Sequence, residues 1–131
     1  NIEENKIHFV KVEKRQRFPI TAFKCNIATP TVIIEKRILE KKDLFKNVKY
    51  GEDIIFWSGL AKKHKLQGIN IPTTIINVTN ISSSNNLVIQ REGFNNINKH
   101  IFSKNLLIKL IHRIYFEIIL LIKKINRFKN K

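Results

Sequence analysis

Val48-Lys49-Tyr50-Gly51-Glu52-Asp53-Ile54-Ile55-Phe56-Trp57 sets two adjacent carboxylates directly after a glycine and directly before an apolar run. From Glu52 to about Lys65, the residues Ile54, Ile55, Trp57, Leu60 and Ala61 recur at three- and four-residue spacing, while Ser58, Lys62, Lys63 and Lys65 fall on the other side. This is the period of an amphipathic helix. Gly68 is a natural stop for it, and the lysines of its last turn complement the negative end of the helix dipole. Glu52 and Asp53 therefore stand at a helix entrance, where two roles are open. They can cap, because acidic groups there satisfy free backbone N–H groups and the dipole. Alternatively, one of them can act as a general base, since transfer to a hydroxyl needs a carboxylate held close to the proton it takes.

Upstream, Ile7, Phe9, Val10 and Val12 suggest a short strand before the basic run Lys14-Arg15-Gln16-Arg17. That run could hold a phosphate, but as a charge run it reads first as a solvated loop. Pro19 marks a turn, and Thr31-Val32-Ile33-Ile34 after Pro30 predicts a buried strand. Glu35 to Phe45, with Ile38, Leu39 and Phe45 among charged residues, predicts a short amphipathic helix, followed by a connecting loop to Tyr50. Downstream, Gly68 to Val78 reads as an extended segment interrupted by Pro72, which suits a sheet edge. A polar loop follows to Asn86. After Gly93, taken as punctuation, Asn95 to Asn105 and Leu106 to Phe128 are predicted helices.

The 131 residues are 43% hydrophobic, enough for one modest domain with a core. Lys and Arg number 25 against 10 Asp and Glu, a net charge of +15 that calls for an anionic partner: nucleic acid, acidic lipid or a phosphorylated substrate. Cys25 is the only cysteine, which excludes a disulfide framework and a thiolate metal cluster and fits a reducing, cytoplasmic setting. His8, His64, His100 and His112 show no metal-ligand spacing and read as surface or packing residues. There is no phosphate-binding glycine loop. The chain contains no methionine at all, which points to a fragment or processed piece.

The last predicted helix carries Lys109, Arg113, Glu117, Lys124, Arg127 and Lys131 on one stripe, and its remaining surface is Ile, Leu, Phe and Tyr115. Residues 103–131 hold eight Lys or Arg against one Glu. A basic amphipathic helix of this kind favours an anionic membrane surface, each cation near it contributing about 1 kcal/mol. Nucleic acid is disfavoured, because aromatic and basic residues interleave too thinly for a single-strand platform. The charges within Leu106–Ile122 also argue against a membrane-spanning helix.

In order, the segments Ile-Ala-Thr-Pro-Thr-Val-Ile-Ile-Glu-Lys (27–36), Ile-Leu-Glu (38–40), Phe45, Tyr-Gly-Glu-Asp-Ile-Ile-Phe-Trp-Ser-Gly-Leu-Ala (50–61) and the Ser82-Ser83-Ser84-Asn85 loop resemble the C-terminal half of a bacterial family-2 glycosyltransferase with the GT-A fold. The resemblance covers about residues 20–86. It implies an α/β fold, a partial, Rossmann-like GT-A mixed sheet with flanking helices over residues 1–86; the residues themselves add a helical, basic amphipathic extension over 87–131. It further implies an inverting transferase that moves a sugar from a nucleotide-sugar donor to a glycan or lipid-linked acceptor in cell-surface polysaccharide synthesis.

By this resemblance Asp53 is the catalytic base. Glu52, Thr29 and Thr31 contact the acceptor, and Gly51 and Trp57 are structural residues near the site. A divalent metal, manganese or magnesium, is expected for the complete enzyme, held by an Asp-x-Asp motif in the donor half. This chain has no Asp-x-Asp, so its metal ligands lie elsewhere and the isolated chain is expected to have little activity. The segment Ile76-Asn77-Val78-Thr79 also departs from the family's Tyr-Arg-Val-His-like pattern, so no Arg or His role is carried over there. The implied location is the cytoplasm, peripheral on the inner face of the cell membrane through residues 104–131. The competing class is a non-catalytic basic module for membrane or nucleic acid, in which Glu52 and Asp53 are simple caps.

Overall fold

A single helix, Glu52–Lys63, organises the packing in the computed structural model, which describes residues 14–39, 45, 47–75 and 86–129, with side chains to residue 125. In chain order the elements are β1 (Arg15–Gln16), α1 (Ile20–Phe23), α2 (Glu52–Lys63), β2 (Leu66–Gln67), α3 (Leu87–Ile101) and α4 (Leu106–Lys129), with 3-10 turns at Thr29–Thr31 and Lys36–Ile38. The fold is helix-rich. Its one sheet among the described residues is the antiparallel ribbon β1–β2, with Arg15 opposite Gln67 and Gln16 opposite Leu66.

Both faces of α2 are covered, because its apolar residues wrap more than one stripe. Ile55 packs with Ala22 of α1, Ile97 of α3 and Phe102, supported by Phe18, Phe23 and Ile108. On the other side Phe56, Trp57 and Leu60 pack against Cys25, Ile27, Val32, Ile34, Ile38 and Leu66. Phe45 stacks on Phe56 at 4.3 Å between ring centroids and extends this second cluster. Ser58, expected on the polar side, is fully buried, and its Oγ has no hydrogen-bond partner among the described residues.

α3 begins at an Asn86 cap, whose Oδ1 accepts from the N–H groups of Val88 and Ile89 at 2.9 and 3.3 Å. It starts earlier than predicted and runs through Gly93, which is a contact point inside the helix and not a break. α4 packs on α3 and α1 through His112 and Phe116. The Phe94 ring stacks on both, at 4.8 and 4.2 Å, and Phe23 meets His112 edge-on at 4.9 Å. Among the described residues no helix is long and apolar enough to cross a membrane.

Several expectations are corrected. Thr31–Ile34 is not a buried strand: a 3-10 turn takes its first residue, and the extended backbone that follows leaves Ile33 97% exposed while Val32 and Ile34 turn inward. A strand needs a partner edge, and none among the described residues lies beside it. The predicted helix from Glu35 shrinks to Lys36–Ile38, since Leu39 is already extended; residues 40–44 lie outside the described residues. α2 stops two residues before the predicted end near Lys65 and short of Gly68. It ends at Lys63, and His64 turns into β2. Within the basic run Arg15–Gln16 pairs with β2 and buries Gln16, while Lys14, Arg15 and Arg17 stay exposed as a solvated run would. From Gly68 to Ile75 the chain is irregular and pairs with no strand beyond the Gly68 N–H to Lys14 carbonyl bond at 3.2 Å. The mixed sheet is thus replaced, among the described residues, by a two-stranded ribbon. The strand expected at residues 7–12 and most of the Thr79–Asn86 loop, with Ser82–Asn85, lie outside the described residues.

Candidate functional site

Gly51 turns the chain into α2 with φ at 82°, a left-handed conformation that side chains rarely adopt. The turn also needs the absence of a side chain for a second reason: a Cβ on Gly51 would stand 3.0 Å from the carbonyl oxygen of Gly93. Backbone meets backbone there, and Asn96 adds a hydrogen bond from its Nδ2 to the Tyr50 carbonyl at 3.0 Å. Together they fasten the Tyr50–Asp53 turn to α3.

The two carboxylates occupy the first turn of α2, at its positive end. Asp53 Oδ1 accepts from the N–H of Ile54 at 2.7 Å. Capping is therefore a real contact of Asp53. It engages one oxygen of a half-buried carboxylate whose turn borders a cleft, so it leaves a second role open.

That cleft has a volume of about 460 Å³ and is walled by the Tyr50–Ile54 turn, Ala22 and Phe23 of α1, and facing residues of α3 and α4. α4 contributes His112, Tyr115, Phe116, Ile119 and Lys123, one stripe at three- and four-residue spacing. Aromatic rings dominate the far wall, and Phe23 and Tyr115 lie edge to face at 5.5 Å. Its polar side chains are Tyr50, Glu52, Asp53, Gln90, His112, Tyr115 and Lys123, whose Nζ donates to Gln90 Oε1 at 3.1 Å. An apolar, ring-lined hollow with a few polar groups at one edge suits a small polar ligand with an apolar face.

His112 sits at the back of this wall, 3% exposed, with Nδ1 at 3.1 Å from Asn98 Oδ1. Burial pushes its pKa below the ordinary value, although a hydrogen bond to the Ala22 carbonyl acts the other way. Burial thus favours the neutral form of a ring that serves packing. Cys25 has its thiol pKa pushed up, first by burial and also by the nearby Asp53 charge, with a backbone hydrogen bond at Ile27 opposing. It is a protonated packing residue.

Of the sequence-derived site residues, Gly51, Glu52 and Asp53 come together on the cleft. Thr29 and Thr31 do not line it. Both are exposed on their 3-10 turn, where Thr31 Oγ1 donates to the Ala28 carbonyl at 2.7 Å. Trp57 is buried in the second cluster, away from the cleft lining, with Phe56 edge-on at 4.7 Å. Phe23, Tyr115, Phe116 and Lys123 were not singled out from sequence. The signal for the three on α4 was the mixed aromatic and polar stripe from His112 to Lys123, which differs from the aliphatic stripe on the exposed face; Phe23 carried none. No group of three or more His, Cys, Asp or Glu able to hold a metal ion exists among the described residues.

No protein-family model, curated protein or solved structure matches this chain.

Proposed function

We propose that this chain is the acceptor-side half of an inverting glycosyltransferase of the GT-A type, working on a glycan or lipid-linked acceptor, with Asp53 as general base. The observation that carries the reading is that the Gly51-Glu52-Asp53 turn forms the edge of a cleft with aromatic walls. A sugar ring presents apolar C–H faces to such walls and hydroxyls to the polar edge. In the reaction the Asp53 carboxylate takes the acceptor hydroxyl proton as the oxygen bonds to the anomeric carbon of the donor. The bond from that carbon to the diphosphate breaks, and its electron pair leaves with the nucleoside diphosphate. The described residues do not fit a divalent metal, so no step assigned to this chain runs through one. Glu52, beside the base, shapes the acceptor edge.

The test needs an enzyme carrying both the donor half and this one. There, Asp53→Asn lowers kcat by about 10²- to 10⁴-fold, the usual worth of a general base, while nucleotide-sugar affinity stays unchanged. Full turnover by that variant removes Asp53 from the base role. Turnover by the 131-residue chain alone removes the half-site reading.

A second component of the proposal is a peripheral membrane surface on α4. The stripe Leu107, Ile111, Ile114, Ile118, Leu121, Ile125, in alternating steps of four and three, points away from the body and is 46–68% exposed. Exposed Lys109, Arg113 and Lys124 lie, beside Glu117, on an arc about 100–160° around the helix from that stripe. A second copy on this face would bring like charges together, whereas an anionic bilayer complements both the apolar stripe and the basic arc. The stripe and its charges support a working location at a membrane surface, which the proposal assigns to the cytoplasmic inner face.

A further inference from the structure

A second cleft lies at the other end of α2. That helix has 12 residues, so its ends stand roughly 18 Å apart at 1.5 Å per residue. The cleft measures about 430 Å³ and shares no residue with the first. Arg15, Arg17, His64 and Lys65 line it, and among the described residues its lining holds no carboxylate.

Gln16 makes this more than a patch of surface charge. Gln16 is 5% exposed and lines the same cleft, yet its Nε2 has no hydrogen-bond partner among the described residues. A buried amide donor left unpaired costs about 1–3 kcal/mol, so a site that supplies its acceptor recovers that cost. The scaffold is fixed. The ribbon sets Gln16 opposite Leu66, the Gly68 N–H bonds the Lys14 carbonyl at 3.2 Å, and the N–H and Oγ1 of Thr21 both donate to the Arg17 carbonyl at 3.0 Å. The negative end of the α2 dipole lies nearby, but its charge of about one half unit is outweighed by three full cations.

We infer that the cleft between the β1–β2 ribbon and the end of α2 binds a phosphoryl oxyanion, a phosphate or diphosphate, through Arg15, Arg17, Lys65 and the Gln16 amide. Arginine forks match phosphate oxygens two at a time, and the neutral amide supplies a buried donor that distinguishes a seated ligand from a loose counterion. The inference does not depend on the glycosyltransferase reading, since the two clefts share no residue.

The experiment is calorimetric titration of the 131-residue chain with inorganic pyrophosphate at 0.15 M salt, with amide NMR shifts to locate the site. Saturable binding is expected, with shifts centred on residues 15–17 and 64–67. Replacing Arg17 and Lys65 together by glutamine weakens it at least ~10-fold, since both charge-assisted hydrogen-bond donors are lost. Gln16→Met, which keeps the shape and removes the donor, weakens it several-fold with the circular dichroism unchanged. A remote pair, Lys109→Gln with Arg113→Gln, removes the same charge from α4 and leaves the affinity within twofold. Equal losses from the near and remote pairs, unsaturable binding, or shifts centred elsewhere overturn the inference. Vesicles containing phosphatidic acid form a second arm. A loss on replacing Arg17 and Lys65 that is larger with phosphatidic acid than with phosphatidylglycerol vesicles of equal surface charge assigns the phosphoryl group to a lipid, and an equal loss with both assigns it to a soluble ligand.

Discussion

His112 has a pKa pushed down from 6.5 by burial among Phe23, Phe94 and Phe102. The sign of its effect on stability follows. Just below pH 6.5 the unfolded chain takes up a proton that the folded chain refuses, so the stabilisation is complete above that pH and is lost as the pH falls. Melting temperature is therefore expected to drop between pH 7 and pH 5.5, a range above the ordinary carboxylate titrations. His112→Gln should flatten this drop; an equally steep profile in the variant would assign the acid sensitivity to other groups. The sequence allowed His112 a surface or a packing role and could not choose, because its cage is assembled from α1, α3 and the residue after α3. Glu52 and Asp53 were legible for the opposite reason: their setting is local, a glycine before them and an apolar run after.

At the scale of elements, α2 and α4 were readable because a 3.6-residue period is written within a single segment. Strands were not, since pairing depends on what lies alongside. Thr31–Ile34 has the composition of a strand and no partner, whereas Arg15–Gln16 has the composition of a loop and pairs with Leu66–Gln67. The two stripes of α4 make a quantitative expectation. Ile114→Asn with Ile118→Asn should cut binding to anionic vesicles at least ~10-fold in sedimentation, as burying one such side chain is worth about 1.5–3 kcal/mol. Lys109→Gln with Arg113→Gln should weaken binding to anionic vesicles only, by about 1 kcal/mol per charge. Analytical ultracentrifugation completes the test, for a dimer that disappears in the isoleucine variants would make the occupant a second copy.

For the molecule as a whole, α2, α3 and α4 were foreseeable at least in part, whereas the short α1 and the assembly of all four were not. The first cleft joins residues near 22, 52, 93 and 116, and no pattern within any one stretch announces that meeting. Each of its walls is held by contacts distant in sequence: Asn96 to Tyr50, Gly51 against Gly93, Phe94 against Phe116. The second cleft was half legible. The basic run was visible as a possible phosphate holder, but the buried orphan amide at Gln16 appears only once β1 finds β2.

The outward stripe of α4 has a consequence for handling the protein in water. An apolar band that long invites self-association, and what keeps molecules apart is mutual repulsion from a net charge of +15. Repulsion fades as the screening length shrinks from about 10 Å at 0.1 M salt to about 3 Å at 1 M. The chain should therefore be clear in dilute buffer and turbid in concentrated sodium chloride, with light scattering rising with ionic strength. Ile114→Asn with Ile118→Asn should delay the onset of turbidity, whereas neutralising Lys109 and Arg113 should bring it forward.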